Sequence, residues 1–252
     1  MHSKIQSGMT VLTYARSSIV ESTLLSLHLH HSIPFSVIVI DSGRPLNEGK
    51  ALLANLSKAG IRNLTFGPLS AVSTLMPRAD LVLLGTASLL ANGALYARAG
   101  TSIVAMTAAA LGKPVIVECE TYKFSDRVQL DSFASNEAGG AWDLMVDDMG
   151  DEETMELDAI HDLASSPAGR DGNRAEEGKL TKRKPFGAVA DAKGPLTISQ
   201  AIKLRENLNA VNLLYDVTPP RFVTAVASEV GLSGPESVGI ILRDYKSVLF
   251  GV

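Results

Sequence analysis

The feature that most constrains this chain is an alternation, between residues 8 and 120, of short β-type runs with stretches of helical spacing. Leu81 to Leu84 is apolar at every position, as a strand buried on both faces of a sheet must be. Around it the same rhythm predicts strands at Met9 to Thr13, Phe35 to Ile40, Ile61 to Phe66 and Val115 to Val117. Helices are predicted over Ser18 to His31, Leu46 to Ala59, Ser70 to Met76 and Thr101 to Leu111. Ser18 and Glu21 have the spacing of a capping box, and Gly60 stands where a helix C-cap belongs. Strands that alternate with helices of this length build a parallel, doubly wound sheet with right-handed crossovers. The expected fold class is therefore α/β: a Rossmann-like, doubly wound, mostly parallel sheet.

The texture changes beyond residue 138. Asp143 to Asp158 carries acidic residues and no basic ones, and Ser165 to Gly194 is rich in Gly, Ala, Lys and Arg around Lys182-Arg183-Lys184. Such polar composition predicts a flexible insertion over 138–196. Order is expected to resume with a helix from Ile198 to Leu214. A turn then leads through Thr218, as helix cap, and Pro219 into a helix from Phe222 to Val230 ended by Gly231, with a last strand at Val238 to Leu242. The expected organisation is a tail over 1–8 and one domain over 9–252, interrupted by the insertion.

Composition narrows the function. With 23 basic and 27 acidic residues the net charge is -4, which argues against broad capture of nucleic acid. No apolar run approaches the ~20 residues that span a bilayer. The single cysteine, Cys119, forbids an internal disulfide and suits a reducing compartment, and the chain lacks a signal-peptide pattern, so a cytoplasmic location is expected.

Ligands of open α/β sheets bind beyond the carboxyl ends of the strands. After the first strand, Arg16, Ser17 and Ser18 lead into a helix N-terminus, a plausible anion cradle or simply a capped helix start beside a surface arginine. Asp41 ends the second strand, where an acidic side chain can hold a ribose hydroxyl or cap a turn. Arg98 and Thr101 follow the fourth strand near Gly93 and Gly100. The glycine fingerprints G-x-G-x-x-G and G-x-x-x-x-G-K-[ST] are absent, so no dinucleotide or P-loop site is expected. None of His2, His28, His30, His31 and His161 falls at a predicted strand end, and neither a metal nor a cofactor is expected. Glu118 and Glu120 project to one side of an extended chain, a possible acid–base pair.

Taken in order, Leu12-Thr-Tyr14, Val39-Ile-Asp41-Ser42, Leu83-Leu-Gly85, Leu90-Ala-Asn-Gly93, Arg98-Ala-Gly-Thr101, Cys119-Glu-Thr-Tyr-Lys-Phe124, Asp131-Ser-Phe133 and Tyr215-Asp-Val-Thr-Pro-Pro220 resemble one family. It is the family shared by the alpha, beta and delta subunits of eukaryotic translation initiation factor 2B, and these segments are most similar to the carboxy-terminal domain of the delta subunits. The family also contains methylthioribose-1-phosphate and ribose-1,5-bisphosphate isomerases. The resemblance implies that the isomerases' cysteine and aspartate positions are here Ala15 and Ala87, so that no catalytic residue is expected. It implies a regulatory and assembly role in the guanine nucleotide exchange complex. The expected partners are a beta subunit in a heterodimer, an alpha subunit in a hexameric core, and initiation factor 2 with its phosphorylated alpha subunit; a homodimer in isolation is left open. Arg16, Ser17, Ser18, Asp41, Arg98 and Thr101 would be the remnant of a sugar-phosphate pocket. Tyr122, Lys123, Phe124, Tyr215, Asp216, Pro219 and Pro220 would lie at the pairing surface. The alternative is a sugar-phosphate- or nucleotide-binding module, or an isomerase-like enzyme using Glu118 or Glu120.

Overall fold

The computed structural model describes residues 4–42, 47–133, 135–139 and 211–250, all within one compact unit. In chain order the elements are β1 (Thr10–Tyr14), α1 (Ser18–Leu29), β2 (Ser36–Asp41), α2 (Glu48–Lys58), β3 (Leu64–Pro68), α3 (Val72–Leu75), β4 (Leu81–Gly85), β5 (Ser88–Leu90) and β6 (Leu95–Arg98). There follow α4 (Thr101–Ala110), β7 (Val115–Glu118), β8 (Phe124–Ser125), β9 (Tyr215–Thr218), β10 (Ala225–Ser228), β11 (Gly231–Ser233) and α5 (Val238–Phe250).

A seven-stranded sheet runs β11-β10-β7-β4-β1-β2-β3, parallel except for the β10–β11 hairpin. β4 sits at its centre, and Leu81 to Leu84 are each no more than 3% exposed, as their unbroken apolarity requires. The sheet is covered on both faces, because alternate residues of each strand face opposite sides. On one face Val20, Leu24 and Leu27 of α1 and Leu52 and Leu56 of α2 pack against Val11, Val37, Val39 and Leu83. On the other, Val72, Met76, Val104, Ala105, Ala108 and Val238 pack against Leu12, Ile38, Val82, Leu84 and Val117. The alanines of α4 let its backbone approach the sheet closely. This is the doubly wound, Rossmann-like architecture, and its strand order reverses between β1 and β4.

A second sheet, β8-β5-β6-β9, is built from the chain that follows β4. Asn92 and Gly93 lie in the turn between antiparallel β5 and β6, and β9 closes antiparallel on β6 with Asp216 opposite Ala97. This corrects the reading of Thr218 as a helix cap. Thr218 is a fully buried strand residue paired with Leu95, and Pro219 has extended backbone.

Two further elements differ from expectation. Phe222 to Val230 is not a helix: a 3-10 turn is followed by β10, which pairs in parallel with β7 and buries Val226, and Glu229-Val230 forms the turn into β11. The β-branched Val223, Thr224 and Val226 suit a strand, and sheet pairing prevails over a weak helical period. Conversely, Val238 to Leu242 is the start of α5. Its apolar run spaces Val238, Ile241 and Leu242 onto one packed helical face and leaves Ile240 exposed.

The capping box also fails. The N-cap of α1 is Ser17, it makes no side-chain cap hydrogen bond, and Glu21 is engaged elsewhere. Ile5, in the segment read as a tail, is buried in the α1–α2 core. The insertion expected over 138–196 lies, apart from Ala138 and Gly139, outside the described residues. So does the helix predicted from Ile198, apart from 211–214, which are not helical; there Leu213 bridges Ala138.

Candidate functional site at the carboxyl ends of the strands

The reversal of strand order between β1 and β4 is where open α/β sheets ordinarily leave a ligand crevice. Here the end of β4 meets the start of the helix that follows β1. Gly85, the last residue of β4, packs directly on Ser17 at the start of α1. Ala15, buried in the turn from β1 to α1, has φ +53 and donates its N–H to the Ile40 carbonyl at 2.8 Å. A left-handed conformation in a residue with a Cβ is held only by such surroundings.

Each cationic group at this edge already has an acidic partner within the chain. Arg16 donates from Nε to Glu21 Oε2 at 2.7 Å, and Asn55 donates to the other oxygen of Glu21 at 2.7 Å. Arg98 grips Glu48 with two bonds, Nη2 to Oε1 at 2.8 Å and Nε to Oε2 at 3.2 Å. Those bonds push the Arg98 pKa up. The guanidinium also lies 5.1 Å from the centre of the Tyr215 ring, which stacks on Tyr96 at 4.7 Å; Arg127 covers Tyr96 at 5.4 Å.

The helix N-termini are occupied in the same way. Asp41 is 3% exposed, and its Oδ2 accepts the Gly49 N–H of α2 at 2.8 Å. Asp216 reaches from β9 to α4. Its Oδ2 accepts the Gly100 N–H at 2.7 Å, the Ser102 N–H at 3.0 Å and the Ser102 hydroxyl at 2.8 Å. A carboxylate at a helix N-terminus is favoured by the free amides and by the macrodipole. Burial nevertheless raises the Asp216 pKa, and its Oδ1 is buried with no hydrogen-bond partner among the described residues. Gly100 has φ +106, and a Cβ there would come within 2.3 Å of the Tyr14 hydroxyl oxygen, so only glycine fits. Tyr14 donates to the Ala99 carbonyl, and burial, with the Asp41 charge adding, pushes its pKa to about 12. Thr101 is 2% exposed and donates to the Arg98 carbonyl at 2.6 Å.

The structure thus brings Arg98, Thr101, Tyr215 and Asp216 into one cluster at the β6–α4 junction. Asp41 lies by α2, and Arg16, Ser17 and Ser18 lie by α1. Ser18 is exposed at the first position of α1, and Ala87 follows β4. Glu48 and Ser102 complete the cluster. The sequence reading passes over both, because nothing in local spacing joins residue 48 to 98 or residue 102 to 216.

The two glutamates proposed as a pair have separate surroundings. Glu118 is buried, near Thr23 of α1, and burial lifts its pKa to about 7. Glu120 lies beyond the strand; burial would raise it, and the Lys123 ammonium 2.7 Å away outweighs that and holds it low. Of the residues named for the pairing surface, Tyr122 is exposed and Lys123 lies over its ring at 5.7 Å. Phe124 and Asp216 are buried, and Tyr215, Pro219 and Pro220 are half-buried. Val128, Leu130 and Phe133, in the segment that follows, are exposed as well, Leu130 being 87% exposed. No group of three His, Cys, Asp or Glu side chains among the described residues is placed to hold a metal ion.

A sequence profile of the initiation factor 2 subunit family matches residues 1–235. The chain belongs to that family. Among its relatives, it is 32% identical over 250 residues to the translation initiation factor eIF2B subunit delta of Dictyostelium discoideum, covering 99% of this chain and 33% of that protein. It is 35% identical over 245 residues to the subunit delta of Schizosaccharomyces pombe, covering 97% of this chain and 43% of that protein. This family member therefore spans less than half the length of both relatives. Among solved structures it resembles a chain of the tetrameric eIF2B beta2–delta2 complex from C. thermophilum. The TM-score is 0.58 and the identity 28%, covering 89% of this chain and 52% of that one. No helix among the described residues is long and apolar enough to cross a membrane.

Proposed function

We propose that this chain is a non-catalytic, delta-type regulatory and assembly domain, which pairs with a beta subunit in the core of the exchange complex for initiation factor 2. The observation that carries this reading is the internal neutralisation of the strand-end edge. Arg16, Arg98 and the N-termini of α2 and α4, the groups that would hold a phosphate, are bound by Glu21, Glu48, Asp41 and Asp216. A sugar phosphate would have to displace those carboxylates. Ala15 and Ala87, at the positions where the isomerases are expected to carry cysteine and aspartate, offer neither a nucleophile nor a proton carrier. The similarity to a delta subunit over nearly the whole chain, and to a chain of a beta–delta tetramer, supports the choice of partner.

In this reading Tyr122, Val128, Leu130 and Phe133 lie in the pairing surface, because exposed aromatic and large aliphatic side chains anchor interfaces. Within the assembled core the domain contributes to sensing phosphorylated initiation factor 2 in the cytoplasm, alongside an alpha subunit. The test is co-expression with an eIF2B beta subunit. The chain is expected to co-purify with it, and the exposed substitutions Leu130→Asp and Phe133→Asp are expected to abolish co-purification without changing the far-UV circular dichroism. Retention of the complex by both variants would refute this surface. Turnover of ribose-1,5-bisphosphate or methylthioribose-1-phosphate would refute the non-catalytic reading.

A further inference from the structure

A cavity of about 300 Å³ opens on the α1 side of the sheet, away from the cluster around Asp216, with Lys4, Ile19, Thr23, Glu118, Ser228 and Leu232 in its lining. Its volume is at the lower end of small-ligand pockets. Glu118 ends β7, in register with Gly85 of β4 and Ala227 of β10. Strand alternation puts it on the face of Ile116, under α1. The side chain is 2% exposed, and its Oε2 has no hydrogen-bond partner among the described residues. A buried carboxylate oxygen without a donor is uncommon, and such groups persist where a bound species completes them.

The remaining lining selects the species. Ile19 and Leu232 provide apolar wall. The Thr23 and Ser228 hydroxyls keep lone pairs available, the latter while donating to the Gly231 carbonyl at 3.4 Å. Glu118, Thr23 and Ser228 together offer three acceptors, the number of donors on a primary ammonium. Lys4 in the same lining disfavours a ligand of higher positive charge.

We propose that this cavity is a binding site for a small primary amine, whose ammonium is received by Glu118 and whose short apolar body lies against Ile19 and Leu232. Its lining includes none of Tyr122, Val128, Leu130 and Phe133. The charged groups that act on Glu118 are the positive amino terminus of the chain, which lowers its pKa, and Glu120, whose negative charge raises it, with Lys4 also in the lining; Thr23 on α1 and Ala227 and Ser228 on β10 add no charge. Burial already holds Glu118 near 7, so amine binding must expel its proton below that pH.

The experiment is calorimetric titration of the full chain with n-butylammonium at about pH 8 and about pH 5.5, for the wild type, Glu118→Gln and Ser228→Val. Saturable binding is expected at the higher pH, weaker by roughly tenfold or more at the lower pH and in Glu118→Gln, and weaker in Ser228→Val. Thermal melts check that each variant is folded. No saturable binding by the wild type at high millimolar amine overturns the proposal. So does equal affinity in Glu118→Gln, or an affinity for n-butanol matching that for the amine.

Discussion

A Cβ placed on Gly85 would lie 2.1 Å from the Oγ of Ser17 and 2.3 Å from its Cβ. The end of β4 and the start of α1 therefore close on each other where the sheet's strand order reverses. The contact makes a prediction for a double-mutant cycle. Gly85→Ala should destabilise the chain by about 1–3 kcal/mol through overpacking. Ser17→Gly should cost only a few tenths of a kcal/mol, since Ser17 makes no side-chain cap bond. The pair together should recover most of the loss, as read from urea denaturation midpoints.

Asp216 holds the N-terminus of α4 from a strand more than a hundred residues further along the chain. Asp216→Ala removes three hydrogen bonds to one carboxylate oxygen and should cost about 2–4 kcal/mol. Asp216→Asn keeps an acceptor but loses the charge, and should cost roughly half as much. Equal losses in the two variants, measured by chemical denaturation, would show that the charge alone matters.

Glu118 gives a pH dependence whose sign follows from burial. Its pKa is lifted from 4.5 in the free side chain to about 7 in the folded chain. The folded state therefore binds the proton more tightly. Its stabilising contribution is complete below about 4.5 and is lost as the pH rises through 7, a change of about 3 kcal/mol at most. Glu118→Gln cannot titrate. Its stability relative to the wild type should rise between pH 5 and 8, with thermal melts across that range as the measurement.

Cys119 is fully buried, and burial pushes its thiol pKa to about 12. The thiolate is the reactive form, so the native chain should resist a disulfide exchange reagent at pH 8 and react only after unfolding in urea. Rapid labelling of the native chain would mean that the end of β7 opens.

The sequence displays the fold where burial leaves no choice. Leu81 to Leu84 could be nothing but a central strand, and α1, α2 and α4 follow from apolar spacing and from the turns around them. Reading fails where partners are distant. Val238 to Leu242 is apolar enough for a strand and becomes helix because Val238, Ile241 and Leu242 have a sheet face to cover. Phe222 to Val230 carries a helical period and becomes strand because β7 offers a free edge. The site shows the same division. Arg98 and Asp216 are visible as residues of interest, yet Glu48 and Ser102, which bind them, are set by the crossing of β6, α4 and β9. A phosphate cradle and an ion-paired edge use the same arginines and helix ends, and only the placement of four carboxylates separates them.

Sedimentation equilibrium of the chain, alone and mixed with an eIF2B beta subunit, tests the central claim most directly. A mixed complex that forms at the expense of any self-association, with its affinity unchanged by millimolar sugar phosphate, is the predicted result. A chain that stays monomeric in both samples would contradict an assembly role, and a complex that forms only when sugar phosphate is added would contradict the closed edge.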